Sequence, residues 1–436
     1  MAVKSDRSHK SFKKNYLGLY RLSNFIGMEN KVVTVGNFGS NTRSDCEIIL
    51  EHRNEGGIVV ELNSKVNTLF GESIKDQCSE VLSYFGISNA FIKVNDSGAL
   101  PFVIAARVEA AIKKLKPAEL AYLPEMLKEN EYTTRRDRFR FSRLYIPGNT
   151  PSMMINAGLH SSDGIILDLE DSVSPEKKDE ARILVRNALR QVSFCGAERM
   201  VRINQGVRGL MDLEYVIPHN VNLVLIPKCE SVSNINEVEN KIEEIKRASG
   251  ITYPVHLMPI IETALGIEKS FEIAACSSNI VAIAIGLEDL AADMGVSRTS
   301  EGKESFYART RLINAAKAAG IQPIDSVFSD VSDMEALRSN VQSSKALGFV
   351  GMGCIHPRQV PVVNRGFAPG PDEIRKSKEI VIAFTEAQRK GLNVTALGSK
   401  MIDPPVVARA QKIVDLAIRL GIVSEKWMDE TDEQSN

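Results

Sequence analysis

From about Leu144 onward, short apolar runs alternate with longer charged segments of helical character. The runs are RLYIPG, GIILDLED, RMVRIN, NLVLIPK, HLMPIIE, VAIAIGLED, IDSVFSD and GFVGMGCIHP. Compact apolar stretches separated by amphipathic ones are the mark of repeated βα units around a parallel sheet. About eight such units close a barrel, so the pattern predicts an α/β fold, a (β/α)8 TIM barrel over residues 139–365. Beyond it, EIRKSKEIVIAFTEAQRKG and the stretch through PPVVARAQKIVDLAIRLG predict a helical extension over 366–436 that ends in an acidic, frayed tail.

A different pattern precedes the barrel. Between residues 31 and 115 lie the short strand-like runs KVVTVGNF, CEIILEH, GIVVELN and FIKVND. An amphipathic stretch, GESIKDQCSEVLSYFG, separates the third from the fourth; a turn at Ser97 and Gly98 then leads to ALPFVIAARVEAAIKKL. These predict a small α+β domain. Residues 116–138, charged and carrying Pro117 and Pro124, read as an exposed linker, and residues 1–30 as a disordered polar tail. The basic, serine-bearing start MAVKSDRSHKSFKKNY also suits an organellar transit segment, but no compact apolar segment of a secretory signal follows it.

Nearly every barrel run ends in polar residues: Asp168 with Glu170 and Asp171, Arg202 with Asn204, Lys228, Glu262, Glu288 with Asp289, Asp325 and Asp330, and His356. Barrel enzymes place their chemistry at the carboxyl ends of the strands, so these side chains are expected at one mouth. Glu262 and Asp289 close neighbouring runs. Carboxylates are costly to bury there unless they bind something, and two of them suit a hard divalent cation with oxygen ligands, read as magnesium. The alternative for Asp289 or Glu288 is capping the helix that follows.

Composition narrows the chemistry. With 54 Lys and Arg against 55 Asp and Glu in 436 residues, overall charge gives no reason to expect nucleic acid or an acidic membrane as partner. No apolar stretch is long enough to span a bilayer. Cys46, Cys78, Cys195, Cys229, Cys276 and Cys354 are scattered without paired spacing, as suits reduced thiols in a cytoplasmic protein, and no HxxxH or CxxC pattern offers a zinc or haem site.

The motifs themselves resemble a known family. SRLYIPG is similar to the RS-x-LFVPG opening of the citrate lyase β subunit, within the HpcH/HpaI aldolase and malyl-CoA lyase group. GIILDLEDSVSPEKKDEAR resembles its D-LEDSV-x-x-x-K-x-x-AR segment, and VRIN, LIPK, IETALGI, GLEDL, CIHPRQV and KMIDPPVV follow in the family's order. The first domain resembles the citrate lyase acyl carrier protein, its γ subunit, through LNSKVNTLFGESI and VNDSGALPFVIAARVEAAI.

The resemblance implies a fused carrier and lyase that cleaves a citryl thioester to oxaloacetate and an acetyl thioester. It implies Mg²⁺ on Glu262 and Asp289, Arg202 on a substrate carboxylate, and Asp403, from a neighbouring subunit, in proton transfer. Arg202 could instead pair with a carboxylate of the DLED run, and Asp403 could cap the helix after it. Asp168, Glu170, Asp171 and Lys228 are expected to orient and neutralise rather than touch substrate, and His356 to pack or shape the mouth. Where the family often has two arginines before the serine, this chain has Arg140 and then Phe141, so Arg140 is the expected substrate contact, and the other basic contact, to substrate or nucleotide, is either lost or replaced by Arg143.

On the carrier, the resemblance implies a phosphoribosyl-dephospho-CoA arm on a serine. Aligning VGNFGSN with the family places it on Ser40, and counting back from CEIIL favours Ser44; an unmodified solvated turn is the third possibility. Expected partners are an acyl thioester, further copies of the chain in a trimer or hexamer, and a separate citrate lyase α subunit, nothing in the sequence resembling the latter. The alternatives are a lyase or synthase acting on free malyl-CoA or citramalyl-CoA, and a non-catalytic thioester-binding assembly protein.

Overall fold

The computed structural model describes residues 31–299 and 301–428. The tail expected over 1–30 and the acidic end after residue 428 lie outside the described residues.

Strands β1 (Val32–Gly36), β2 (Cys46–His52), β3 (Ile58–Ser64) and β4 (Ala90–Asp96) form a sheet in the order β1-β2-β4-β3. Only the β3–β4 pair of this sheet is parallel, joined through the crossover helix α1 (Asn67–Tyr84). Cys46, Ile48 and Leu50 alternate inward along β2. They pack beneath helix α2 (Pro101–Leu115), which begins with proline at its first position. Helix α2 is buried on nearly every side, because helix α3 (Lys178–Gln191) of the second domain covers its outer face.

That second domain is a closed barrel. Parallel strands β5 (Ser142–Pro147), β6 (Gly164–Asp168), β7 (Glu198–Arg202), β8 (Leu223–Ile226), β9 (His256–Ile261), β10 (Ala282–Ile285), β11 (Gln322–Ile324) and β12 (Met352–Cys354) run in the order β11-β10-β9-β8-β7-β6-β5-β12. A parallel bridge between Asp325 and Met352 joins the two ends. The interior is filled by Ile166, Met200, Leu223, Leu225, Met258, Ile260, Ala282, Ala284 and Ile324, so the barrel is a packed core with room for ligand only above it.

Three features depart from the sequence reading. The seventh strand is Gln322–Ile324, ahead of the predicted IDSVFSD, most of which forms the loop above it. The predicted exposed linker instead packs along the barrel: Asn130 is fully buried and donates to Val192 O at 2.7 Å and Leu189 O at 3.2 Å, satisfying carbonyls at the end of α3. Tyr132 lies against Arg199, 4.1 Å from guanidinium to ring. The helical extension also contains a hairpin, β13 (Thr395–Leu397) and β14 (Lys400–Ile402), between helices Pro371–Arg389 and Pro404–Arg419. Among the described residues no helix is long and apolar enough to cross a membrane.

The union of the two domains rests on buried ion pairs. Glu109 of α2 accepts from Arg186 of α3 at 2.8 and 2.7 Å in a two-pronged contact, and both side chains are inaccessible to solvent. Removing one partner of such a pair leaves an uncompensated charge. Glu109→Ala is therefore expected to destabilise the protein by about 3–5 kcal/mol, read as earlier urea unfolding. Pairing it with Arg186→Met, which removes the stranded charge, should recover much of the loss.

Candidate active site at the barrel mouth

Above the packed interior, the carboxyl ends of the strands enclose a cavity of about 480 Å³. Its lining includes Arg143, Tyr145, Asp168, Asp171, Arg202, Glu262, Gly286, Glu288 and Asp289, so most of the polar strand ends marked in the sequence do meet here.

Asp168, the last residue of β6, and Arg202, the last of β7, are paired in register across adjacent strands. Arg202 donates from Nε and Nη2 to the two Asp168 oxygens at 2.6 and 2.7 Å. Its Nη1 lies 3.0 Å from Glu170 and 3.4 Å from Asp171. Burial alone would disfavour the Arg202 charge, but the surrounding carboxylates outweigh it and raise its pKa. Asp168 likewise pays for its burial, and Arg202 together with backbone donors keeps it below the usual carboxylate range. Those donors are Glu170 N and Ser172 N, at 3.0 and 3.1 Å, so Asp168 also folds the loop that follows it. Lys178 ties the same loop by donating to the carbonyls of Leu169 and Glu170.

Glu262 is placed differently. It is 2% exposed, and Oε1 accepts from the backbone N–H of Lys228 at 2.8 Å. Its Oε2 accepts no hydrogen bond among the described residues. Burial is the main cause that pushes the carboxyl up to about 7, with Asp289 and Glu170 adding to it against Lys228 N–H and Arg202. Gly286 makes the geometry possible: a Cβ there would sit 2.4 Å from Glu262 Oε2. Asp289 projects from the short helix Leu287–Asp293 with its side chain 42% exposed, 3.6 Å from Lys228 Nζ. Burial opposes the Lys228 charge, yet Asp289, Glu170, Asp171 and Glu262 raise its pKa, so it stays an ammonium and is no amine nucleophile.

A buried carboxylate with one oxygen free, in a cavity that a second carboxylate also lines, offers the kind of oxygen donors a hard divalent ion takes. Among the described residues no third Asp, Glu, His or Cys completes the set, so water or ligand oxygens would fill the remaining positions.

Other expected residues lie elsewhere. Arg140 is a correction: it precedes β5 and therefore sits at the opposite end of the barrel, where it is 1% exposed and holds Glu198 at 2.7 and 2.8 Å. It cannot reach a ligand in the mouth. Asp325, by contrast, does line the cavity but commits Oδ2 to Arg309 and Ser344, and Asp330 caps an exposed turn through Ser332 and Asp333. His356 accepts from Arg358 N at 3.1 Å as a helix cap, not as a base. Asp403 caps the helix Pro404–Arg419 by accepting from Val406 N at 3.1 Å and does not line the mouth of its own chain.

The serine loop stands beside the mouth. Gly36 N–H donates to Glu180 at 3.0 Å and its carbonyl accepts from Lys177 at 2.7 Å, both at the mouth end of α3. At the loop's other end, Asp45 takes two bonds of 2.9 Å from the fully buried Arg107, which also donates at 2.7 Å to Asn149, just after β5. Ser40 is exposed between these anchors; Ser44 is half-buried, with a left-handed φ of 55° and its N–H on Ser97 O. Tyr145, Gly286 and Lys178 were given no role by the sequence motifs; inward alternation along β5 is the signal that marks Tyr145.

A family model described as HpcH/HpaI aldolase/citrate lyase matches residues 142–357, and one described as malonate decarboxylase delta subunit, of the ACP type, matches residues 30–115. The citrate lyase subunit beta of Leuconostoc mesenteroides subsp. cremoris is 37% identical over 290 residues, which cover 64% of this chain and 94% of that protein. The mitochondrial citramalyl-CoA lyase of Rattus norvegicus is 32% identical over 331 residues, covering 72% of this chain and 96% of its own length. Among solved structures, the protein CitE from Mycobacterium tuberculosis in complex with magnesium, acetoacetate and coenzyme A superposes with a TM-score of 0.53 and 28% identity, covering 65% of this chain and 99% of that one.

Proposed function

The chain belongs to the HpcH/HpaI aldolase/citrate lyase family and is a carbon–carbon lyase, and on that premise we propose that it cleaves a citryl thioester to oxaloacetate and an acetyl thioester with Mg²⁺ as its cation. The observation that carries this reading is Glu262, a buried carboxylate with a free oxygen in the cavity that Asp289 also lines. In the reaction the tertiary hydroxyl gives up its proton and the bond from its carbon to the thioester α-carbon breaks. The electron pair becomes the acetyl thioester enolate, and a proton delivered to that carbon balances the one the hydroxyl released and completes the product.

Held by Glu262 and Asp289, Mg²⁺ would supply Lewis-acid stabilisation of the charge on the hydroxyl oxygen and its geminal carboxylate. The chain's own residues do the rest. Arg202 is clamped hardest by Asp168, at 2.6 and 2.7 Å, and more loosely through Nη1 at 3.0 and 3.4 Å. A substrate carboxylate can therefore exchange onto Nη1 while the clamp holds. Lys228, 3.6 Å from Asp289, would offset its charge until the cation binds. Asp403, absent from its own mouth, would protonate the enolate from a second copy of the chain, which makes the active form a homo-oligomer.

The N-terminal unit is carrier-like, and its exposed Ser40, pinned beside the chain's own mouth, supports a prosthetic arm there that delivers the thioester in cis. A lyase acting on free citramalyl-CoA or malyl-CoA is the second reading; the likeness to citramalyl-CoA lyase, which spans 72% of this chain, favours it.

Purified protein with Mg²⁺ is expected to release oxaloacetate from citryl thioester, and chelation to abolish this. Glu262→Gln should lower kcat/KM by roughly 10³, the several kcal/mol a Lewis acid contributes; full activity in that variant would end the metal assignment. Intact mass of protein from its native host should show an adduct that Ser40→Ala removes. Oligomers mixed from Ser40→Ala and Glu262→Gln chains should stay inactive if delivery is in cis, whereas recovered activity would mean delivery between chains. A bare serine with cleavage of free CoA thioesters would establish the second reading.

A further inference from the structure

Along β5 the inward positions are Arg143, Tyr145 and Pro147, and all three line the mouth cavity. Arg143 is the deepest of them in the chain's direction, nearest the barrel interior, and is 1% exposed. A guanidinium keeps its charge in proteins, and buried charges are ordinarily paired. The other arginine lining this cavity, Arg202, is held by Asp168, Glu170 and Asp171. Arg143 has no carboxylate partner among the described residues. Its Nη1 donates to the thioether of Met258 at 3.0 Å, a weak acceptor, and its Nε has no hydrogen-bond partner at all. Burial, with no anion close enough to offset it, pushes the guanidinium down to about 10.

The cavity thus holds a fixed positive charge whose anion is missing from the protein. What the lyase reading requires fills that gap. Beyond the hydroxyl and its geminal carboxylate, a citryl thioester carries one more carboxylate, on a methylene group. A citramalyl thioester has a methyl group at that place and a malyl thioester a hydrogen. We propose that Arg143 receives this additional carboxylate and selects a dicarboxylic oxo-acid half over a monocarboxylic one. The inference rests on the lyase reading of the mouth and gives it a substrate class. A buried guanidinium favours citryl twice over, by pairing with the extra carboxylate and by staying unpaired when a methyl group arrives in its place.

The test uses the full chain with Mg²⁺ and the variants Arg143→Met, which keeps much of the length without the charge, and Arg143→Lys, which keeps the charge without the planar fork. In Arg143→Met the ratio of kcat/KM for citryl over citramalyl thioester should fall about 10- to 100-fold, the worth of one charge-assisted pair, with Arg143→Lys between it and the parent. Binding of the two oxo acids by calorimetry gives a second readout: affinity for oxaloacetate should fall relative to pyruvate. Equal losses for both thioesters and both oxo acids would make Arg143 a structural residue and overturn the proposal, as would an unaltered ratio. If the parent protein cleaved none of the thioesters, the lyase reading would fall by itself, while the oxaloacetate-to-pyruvate comparison would still decide the role of Arg143.

Discussion

Charge cannot be left alone in a barrel mouth, and the arrangement of this site follows from how that demand is met. Asp168 and Glu170 are nearly inaccessible to water, and Arg202, brought level with Asp168 by the register of β6 and β7, is the cation that makes their burial tolerable. The pairing fixes the loop after β6, because Asp168 also accepts two of that loop's N–H groups while Lys178 holds two of its carbonyls. Glu262 lines the same cavity but forms no ion pair among the described residues. With a backbone N–H and a distant guanidinium as its main support, its carboxyl is pushed up to about 7 by burial and by the neighbouring acids. Around Asp168 the charges are matched, whereas Glu262 keeps one oxygen without a donor, and that oxygen is where a divalent ion has most to gain.

The same demand joins the two domains. Arg186 reaches Glu109, and Arg107, held within its own domain by Asp45, reaches across to Glu180 less closely at 3.3 Å, all of them buried. Such pairs contribute little net stability against apolar replacements, but they tolerate only one registry, since any sliding would strand charges. The registry chosen puts both ends of the 37–44 loop against the mouth ends of the first two βα units. A tether rooted there would raise the local concentration of its cargo at one particular mouth without any added contact.

Strands and their ends were legible because both carry strong local signals: apolar runs for burial, and charged residues where those runs stop. Register was not. Gln322–Ile324 is too short and too mixed to stand out beside IDSVFSD, and its strand character comes from parallel neighbours on the barrel wall. The 116–138 segment looked solvated from its prolines and charges, whereas Asn130 and Tyr132 are drawn in by the orphan carbonyls of α3 and by Arg199, partners far away in sequence. Glu262 and Asp289 stand out by sequence position and both line the mouth, yet the feature that lets Glu262 sit where it does, the missing Cβ at Gly286, is visible only once two strands are side by side.

Arg140 and Arg143 show the same limit at its sharpest. Both are fully buried arginines, and the motif around them points first to Arg140 as the ligand contact. Two residues of chain separate them, and β5 begins between them. Arg140, before the strand, falls beneath the barrel and finds Glu198, so its charge is spent. Arg143, one residue into the strand, turns inward, rises toward the mouth and finds a methionine. A pattern of residue types cannot distinguish these fates, because both positions reward a long cation; what differs is whether the fold supplies the anion. Where it does, the arginine belongs to the scaffold. Where it does not, the anion has to come from outside, and the residue's chemistry belongs to the ligand.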